Sequence, residues 1–457
     1  MRCYLASLLL CACVPVAGQE TQLGSDFRRE GAEFKENCTD FSKIFGCAQT
    51  LVTGKPLHLS IGSIAPGNGV AFGPAFVYEK NSGENWRLNF NADAVASTNQ
   101  SWRAGLYLKA FYIPKTVIGT TTERPKPGQP APKVEPKPAP EFNLYVQGAS
   151  LNQLGFYGLG PTTSRQGLAF FGLTETIAGG NTIYPVLGHS GISLSGELNG
   201  RIFDPRGRLG QTSPSIEQLY PALPGLPVLR QLGYFQTGEG VKFNRSLAAR
   251  LNFDYSLTLQ QYVGGSGSKD SFQRLTIDAS HEIPLYRNQT VVARSEGTGP
   301  DESPKTLEKN RYHVGNREGS VTLRAVVSES FIPTGNTVPY FLQPTLGGTD
   351  INGDKGLSSY PDYRFRAPNL MLFRASLEHS IWGPIGGILM VDYGRVALTH
   401  GDLGFDHFRH SWGVGVTVRA GGLPAVSLLF AFGGGEGTHT LANISPAFLG
   451  SSRPSFF

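Results

Sequence analysis

Few residues of this 457-residue chain are placed to do chemistry, and they are scattered. Asp392 lies in the run Val391-Asp392-Tyr393-Gly394, where an inward carboxylate beside Arg reads as a structural pair, with catalysis the alternative. Cys38 and Cys47 lie close together near the start. In an exported chain an even pair at short spacing reads as one disulfide, the alternative being two unrelated thiols. Zinc needs more ligands than these two, and no His pair lies nearby. The nine His are dispersed, with His379 and His410 near expected strand ends. G-x-S-x-G, a phosphate-binding loop, H-E-x-x-H and a spaced Cys/His cluster are all missing from the sequence. The chain is therefore expected to have no catalytic residues, no metal and no cofactor.

What Asp392 can do depends on the element that carries it. From Leu247 to Leu259 every second residue is apolar (Leu247, Ala249, Leu251, Phe253, Tyr255, Leu257, Leu259), and those between are small, polar or charged. A strand sends successive side chains to opposite faces, so this run has one apolar and one polar face. Taken as one strand, it exceeds the roughly 9–11 residues needed to cross a bilayer at a tilt. The same pattern recurs at Trp86–Ala94, Ala104–Ala110, Ile192–Asn199, Leu275–Ser280, Trp412–Arg419 and Val426–Phe432. By this alternation Asp392 shares a face with Met390 and Gly394, away from Val391 and Tyr393.

The first 18 residues have the parts of a secretion signal: Arg2, an apolar core from Leu5 to Val16, and the small-residue exit Val16-Ala17-Gly18. Cleavage near Gly18 is the simplest reading, and lipoprotein processing at Cys13 is the alternative. No other stretch is apolar enough for a spanning helix of about 20 residues. A membrane protein with this sequence must then be a closed barrel, because only helices and barrels satisfy backbone polar groups in lipid. Charged residues are 16%, aromatics 11% and the net charge +5, with the basic residues scattered, so there is no nucleic-acid footprint. The competing fold is a soluble β-sandwich or propeller, whose strands also alternate.

The expected organisation is a signal peptide at 1–18, an arm or plug at 19–69 holding the Cys pair, and an all-β transmembrane antiparallel barrel over 70–457. Sixteen strands are expected, from 70–79 to 438–449, among them 246–262 and 339–345. Short turns at Gly383-Pro384, Gly421–Pro424 and Gly264–Ser268 suit the periplasmic side. The long stretches 114–141 (Pro-rich), 285–318 and 346–368 suit the external side, and 203–229 fits neither.

From Leu342 to Ala397 the chain resembles the C-terminal barrel of the bacterial surface antigen family, which includes the BamA-type assembly factors and two-partner-secretion transporters. The likeness lies in Leu346-Gly347-Gly348-Thr349-Asp350, Leu357-Ser358-Ser359-Tyr360-Pro361, Glu378 and Val391-Asp392-Tyr393-Gly394, with Phe156–Gly160 similar to a family turn. In that family a long external loop folds into the lumen, and its Arg-Gly-aromatic tip meets an inward Asp. Here Ser358 and Ser359 stand in place of the tip's Arg and Gly, so the resemblance implies a lock from Tyr360, Arg364 or Arg366 onto Asp392, with Glu378 and Gly394 nearby. It also implies a barrel-only member, since the arm is too short for the family's periplasmic domains. Such a barrel would sit in the outer membrane of a two-membrane bacterium. It would meet outer-membrane lipids, and unfolded outer-membrane proteins or secreted polypeptides would be its partners in insertion or translocation. The alternative is a passive porin, with inward Arg, Asn and Asp setting selectivity.

Overall fold

The computed structural model describes residues 22–38, 51, 56–83, 85–113, 139–186, 190–208, 214–221, 223, 229–247, 251–265, 269–288, 317–382, 385–420, 423–444 and 454–455. Helix α1 (Gln22–Cys38) comes first. Then follow β1 (Leu57–Ser63), β2 (Val70–Ser82), β3 (Trp86–Ser97), β4 (Trp102–Tyr112), β5 (Glu141–Phe156), β6 (Ala169–Pro185), β7 (Ile192–Gly207), β8 (Leu232–Leu247), β9 (Leu251–Gly264), β10 (Phe272–Asn288) and β11 (Arg317–Phe331). The short pair β12 (Thr345–Leu346) and β13 (Phe365–Arg366) lies inside a loop. The last strands are β14 (Asn369–Trp382), β15 (Ile385–Ala397), β16 (Arg409–Ala420), β17 (Leu423–Phe432) and β18 (His439–Ile444).

Each strand pairs antiparallel with the next, β11 passing directly to β14, which makes one sixteen-stranded sheet. Such a sheet laid flat would be about 70 Å wide, because neighbouring strands lie about 4.8 Å apart. Yet one loop, 332–368, touches the β1–β2 turn, the β5–β6 turn and the β17–β18 turn. Tyr363 Oη donates to Pro66 O (3.1 Å), Arg364 to Thr163 O (2.6 Å), and Tyr360 Oη to Gly434 O (2.5 Å). The sheet must curl round that loop, so it is a barrel with the loop inside.

The burial pattern is inverted relative to a water-soluble fold. Leu144, Val146, Leu198, Val414 and Val416 point outward and are exposed, whereas Glu175, Arg201, Gln236, Asp392 and Thr417 point inward and are buried. An apolar belt continuous over so many strands far exceeds what soluble surfaces carry. It is the arrangement of a barrel with lipid outside and polar groups within. Aromatic rings gather at both rims, with Trp86, Tyr112 and Phe142 at one and Phe373, Phe405 and Phe408 at the other. Among the described residues no helix is long and apolar enough to cross a membrane.

The expected count of sixteen is met, but by two offsetting errors. The sheet begins at Leu57, ahead of the expected start at 70, so part of the supposed arm is its first strand. Residues 339–345 are not a barrel strand. They hold a 3-10 turn at Tyr340–Leu342 and the start of β12, because Pro339 caps a tight turn where a strand would need to continue. The run from Leu247 to Leu259 is also two elements: β8 ends at Leu247 and β9 starts at Leu251 opposite it. Apolar residues keep the same spacing in both strands, so alternation alone cannot reveal the boundary between them.

Strand direction also corrects the placement of the loops. The β4–β5 and β10–β11 connections, where most of 114–141 and 285–318 falls in sequence, leave from the end that carries Leu57 and Ile444, opposite 332–368. The β9–β10 and β7–β8 connections, where Gly264–Ser268 and 203–229 fall in sequence, leave from the 332–368 end. The signal region, Cys47 and 114–138 lie outside the described residues. Cys38, the last residue of α1, is disulfide-bonded, and Glu30 of α1 accepts a hydrogen bond from the Leu57 N–H (3.1 Å) at the start of β1.

Candidate functional site

The lumen-folding loop has two arms and a tip. The β12–β13 pair, Thr345 opposite Arg366 and Leu346 opposite Phe365, closes its neck. On the first arm Tyr340, Phe341 and Leu342 are buried beneath the rim of β5–β10. The Tyr340 ring meets Phe156 and Phe171 edge-on at 5.5 and 5.1 Å between centroids, and Phe341 lies 5.4 Å from Phe203. Edge-to-face pairs at such distances suit the ring quadrupoles. Two buried arginines fix this roof through main-chain oxygens: Arg274 donates to Leu342 O (2.6 Å) and Arg366 to Tyr340 O (2.7 Å). Burial lowers the pKa of Arg366 to about 10, which leaves it cationic at neutral pH.

The tip is held by charge and hydrogen bonds instead. Asp392, at 0% exposure on β15, accepts from Ser358 N–H (3.0 Å) and Ser358 Oγ–H (2.9 Å). On its other side Arg374 of β14, directly across the strand pair, donates to both carboxylate oxygens (2.7 and 3.1 Å). The next tip residue, Ser359, donates its N–H to Ser411 Oγ on β16 (2.7 Å). Arg364 forks onto Glu436 in the β17–β18 turn (2.8 and 2.9 Å), bonds Thr163, and lies over the Tyr157 ring at 4.9 Å. A planar guanidinium suits such a bidentate carboxylate contact.

Two glycines allow the approach. A Cβ at Gly394 would lie 3.0 Å from the Leu346 side chain, and one at Gly434 would lie 2.4 Å from the Tyr360 ring. The run Gly433-Gly434-Gly435 is thus a turn that seats an aromatic ring.

The residues named from sequence are therefore only partly one site. Tyr360, Asp392 and Gly394 do meet around the docked loop. Arg364 and Arg366 line the same loop but bind Glu436 and Tyr340 O rather than Asp392, which corrects the expected arginine lock. Glu378 lies on β14 four positions beyond Arg374, toward the far end of the lumen. The groups missed were Ser358 as the residue that engages Asp392, together with Arg374 and Glu436. Arg374 was findable: it shares the inward parity of Glu378 in the expected 369–380 strand, one hairpin from Asp392. Glu436 was not, because only folding brings it to Arg364.

A further carboxyl belongs to the tip. Asp350 accepts from the N–H groups of Asn352 and Asp354 (2.9 and 2.8 Å). Burial, with the Asp354 carboxylate beside it, pushes Asp350 up to about 7.

Neither a protein-family model nor a curated protein matches the chain. Solved structures similar to it include BamA from Haemophilus ducreyi lacking POTRA domains 1–3, at 12% identity and a TM-score of 0.48, covering 85% of this chain and 69% of that one. CdiB from Escherichia coli is similar at 12% identity and a TM-score of 0.44, with 85% of this chain and 61% of that one covered. CdiB from Acinetobacter baumannii is similar at 9% identity and a TM-score of 0.40, with 80% and 53% covered. The architecture itself rests on the strand register.

Proposed function

We propose that this chain is an outer-membrane barrel that assists the insertion or translocation of polypeptides, is plugged at rest by loop 332–368, and acts without bond chemistry. The plug is the observation that carries this reading. Its aromatic arm fills one mouth of the lumen, and its tip is bound to β15, β16 and the β17–β18 turn. A polar inner face would also serve a passive porin. However, many of the inward charges are already paired: Asp93 with Arg103, Glu141 with Lys109, Glu175 with Arg201, Asp278 with Arg324, and Asp392 with Arg374. Charges neutralised in this way do not form the single-sign ring that sets ion selectivity.

Single-channel conductance of the reconstituted protein, with and without residues 346–368, tests the plug. Closed channels that open on deletion support the proposal, whereas steady conductance indifferent to the deletion supports the porin. Vesicles holding the protein should also speed the folding of a urea-denatured outer-membrane protein, and a porin leaves that rate unchanged. Residence in the bilayer has its own check. Arginine at Phe253, Val416 or Leu428 on the outer face should oppose integration by about 2–4 kcal/mol near the midplane.

A further inference from the structure

Beneath the aromatic roof lies a group of polar side chains that the plug does not use. Arg201 of β7 is fully buried, and its guanidinium donates to Glu175 Oε1 (2.9 Å) and Asn199 Oδ1 (3.0 Å). It also donates to the main-chain carbonyl of Ser455 (3.0 Å). Ser455 follows β18, the sixteenth strand of the sheet, while Arg201 is on the seventh. Ser455 therefore lies against β7, nine strands from β18 along the sheet, with Pro454 beside it buried.

Next to this contact the barrel wall carries unmatched groups. Gln236 of β8 lies opposite Asn199 on one side and Tyr262 on the other, and is fully buried. Neither its Oε1 nor its Nε2 has a protein partner, and the same holds for Glu175 Oε2 and the Tyr262 hydroxyl. Buried polar atoms are nearly always hydrogen-bonded, so four such atoms lining one stretch of lumen are groups waiting for a partner. A guanidinium and an amide N–H can donate to carbonyls, while an amide oxygen and a carboxylate can accept from N–H groups. An extended peptide presents that alternating set. A free anion would be repelled by Glu175, and a cation by Arg201.

We infer that this is a binding site for extended polypeptide main chain, which the chain's own Pro454–Ser455 segment occupies in part, through Ser455 O on Arg201. The roof closes it toward the 332–368 end through Arg274 and Leu342, so a segment enters from the opposite mouth, where β1 begins and β18 ends. In trans the ligand is an unfolded polypeptide. The inference rests on the proposed function for that partner alone, and the occupancy by Ser455 stands independently.

The test uses the purified full chain, a variant ending at Ile444, and a fluorescent synthetic peptide of residues 445–457. The shortened barrel should bind the peptide saturably and the full chain about tenfold more weakly. In the shortened barrel Gln236→Ala should weaken binding of an unrelated extended peptide that reaches Gln236 by about tenfold, the loss of one well-made buried hydrogen bond. An unrelated unstructured peptide of equal length should compete, since main chain is what is read. Equal binding by both barrels, or affinity indifferent to Gln236→Ala, overturns the site, water alone then meeting those groups. Competition confined to the chain's own peptide overturns the partner in trans. Should the shortened barrel not fold, p-benzoylphenylalanine at position 455 of the full chain gives a second readout. Adducts to β6–β8 are expected, and adducts elsewhere or none sink the proposal. Peptide binding without any effect on the vesicle folding assay would refute the function and leave the site standing.

Discussion

The two arms of the same loop are held by opposite physics. The Tyr340–Leu342 arm is buried among Phe156, Phe171 and Phe203, where each fully buried large apolar side chain contributes about 1.5–3 kcal/mol without regard to exact geometry. The Ser358–Arg364 tip is held by Asp392, Arg374, Ser411 and Glu436, whose attraction is offset by the cost of taking charges from water. The roof is therefore the permanent anchor. The tip adds little net free energy when all its partners are present and loses much when one is removed, which is the behaviour of a latch. A plug built this way can release its tip while its root stays in place.

The largest effect should come from Asp392→Ala. It removes the acceptor of four hydrogen bonds from Ser358 and Arg374 and leaves a buried cation without its partner, a loss of about 3–5 kcal/mol. Channel openings and faster proteolysis within 348–362 are the expected readouts, and a silent variant would mean that the tip is not the latch. Phe341→Ala should lower the urea midpoint, at a cost of about 3 kcal/mol, yet leave conductance closed because the tip bonds persist. If it opens the channel as far as Asp392→Ala does, the division between anchor and latch is lost. Gly434→Ala puts a methyl into the Tyr360 ring and should cost about 1–3 kcal/mol. Its openings should be briefer than those of Asp392→Ala, since the Asp392 bonds remain.

The last effect concerns pH. Asp350 titrates near 7 in the docked loop and near its ordinary value of 3.8 when freed, so the docked state retains a proton that the free loop releases. Docking is then strongest below about pH 4, weakens as pH rises toward 7, and levels off above it. Open probability measured across this range should rise in the parent and stay flat in Asp350→Asn.

Much of the barrel was legible in the sequence because lipid on one side and a polar lumen on the other impose a period of two. The inward face of Asp392 follows from Val391 and Tyr393 alone. Register and turns were less legible. The apolar spacing runs on unbroken from the end of β8 into β9, so the two read as one run. Residues 339–345 looked like a strand because Tyr340, Phe341 and Leu342 are apolar, but they are buried in the loop's own core. The sequence offers Arg364 and Arg366 within the loop itself as partners for Asp392, whereas Arg374 meets it only through the β14–β15 register.

By itself the sequence determined the two-faced strands and the inward carboxylate, since each depends only on spacing between near neighbours and on the solvent each face meets. Which mouth each loop guards, which arginine meets Asp392, and that Ser455 reaches Arg201 were decided only in three dimensions. Those contacts join residues as many as 254 positions apart, and nothing local in a chain encodes a meeting across a closed lumen.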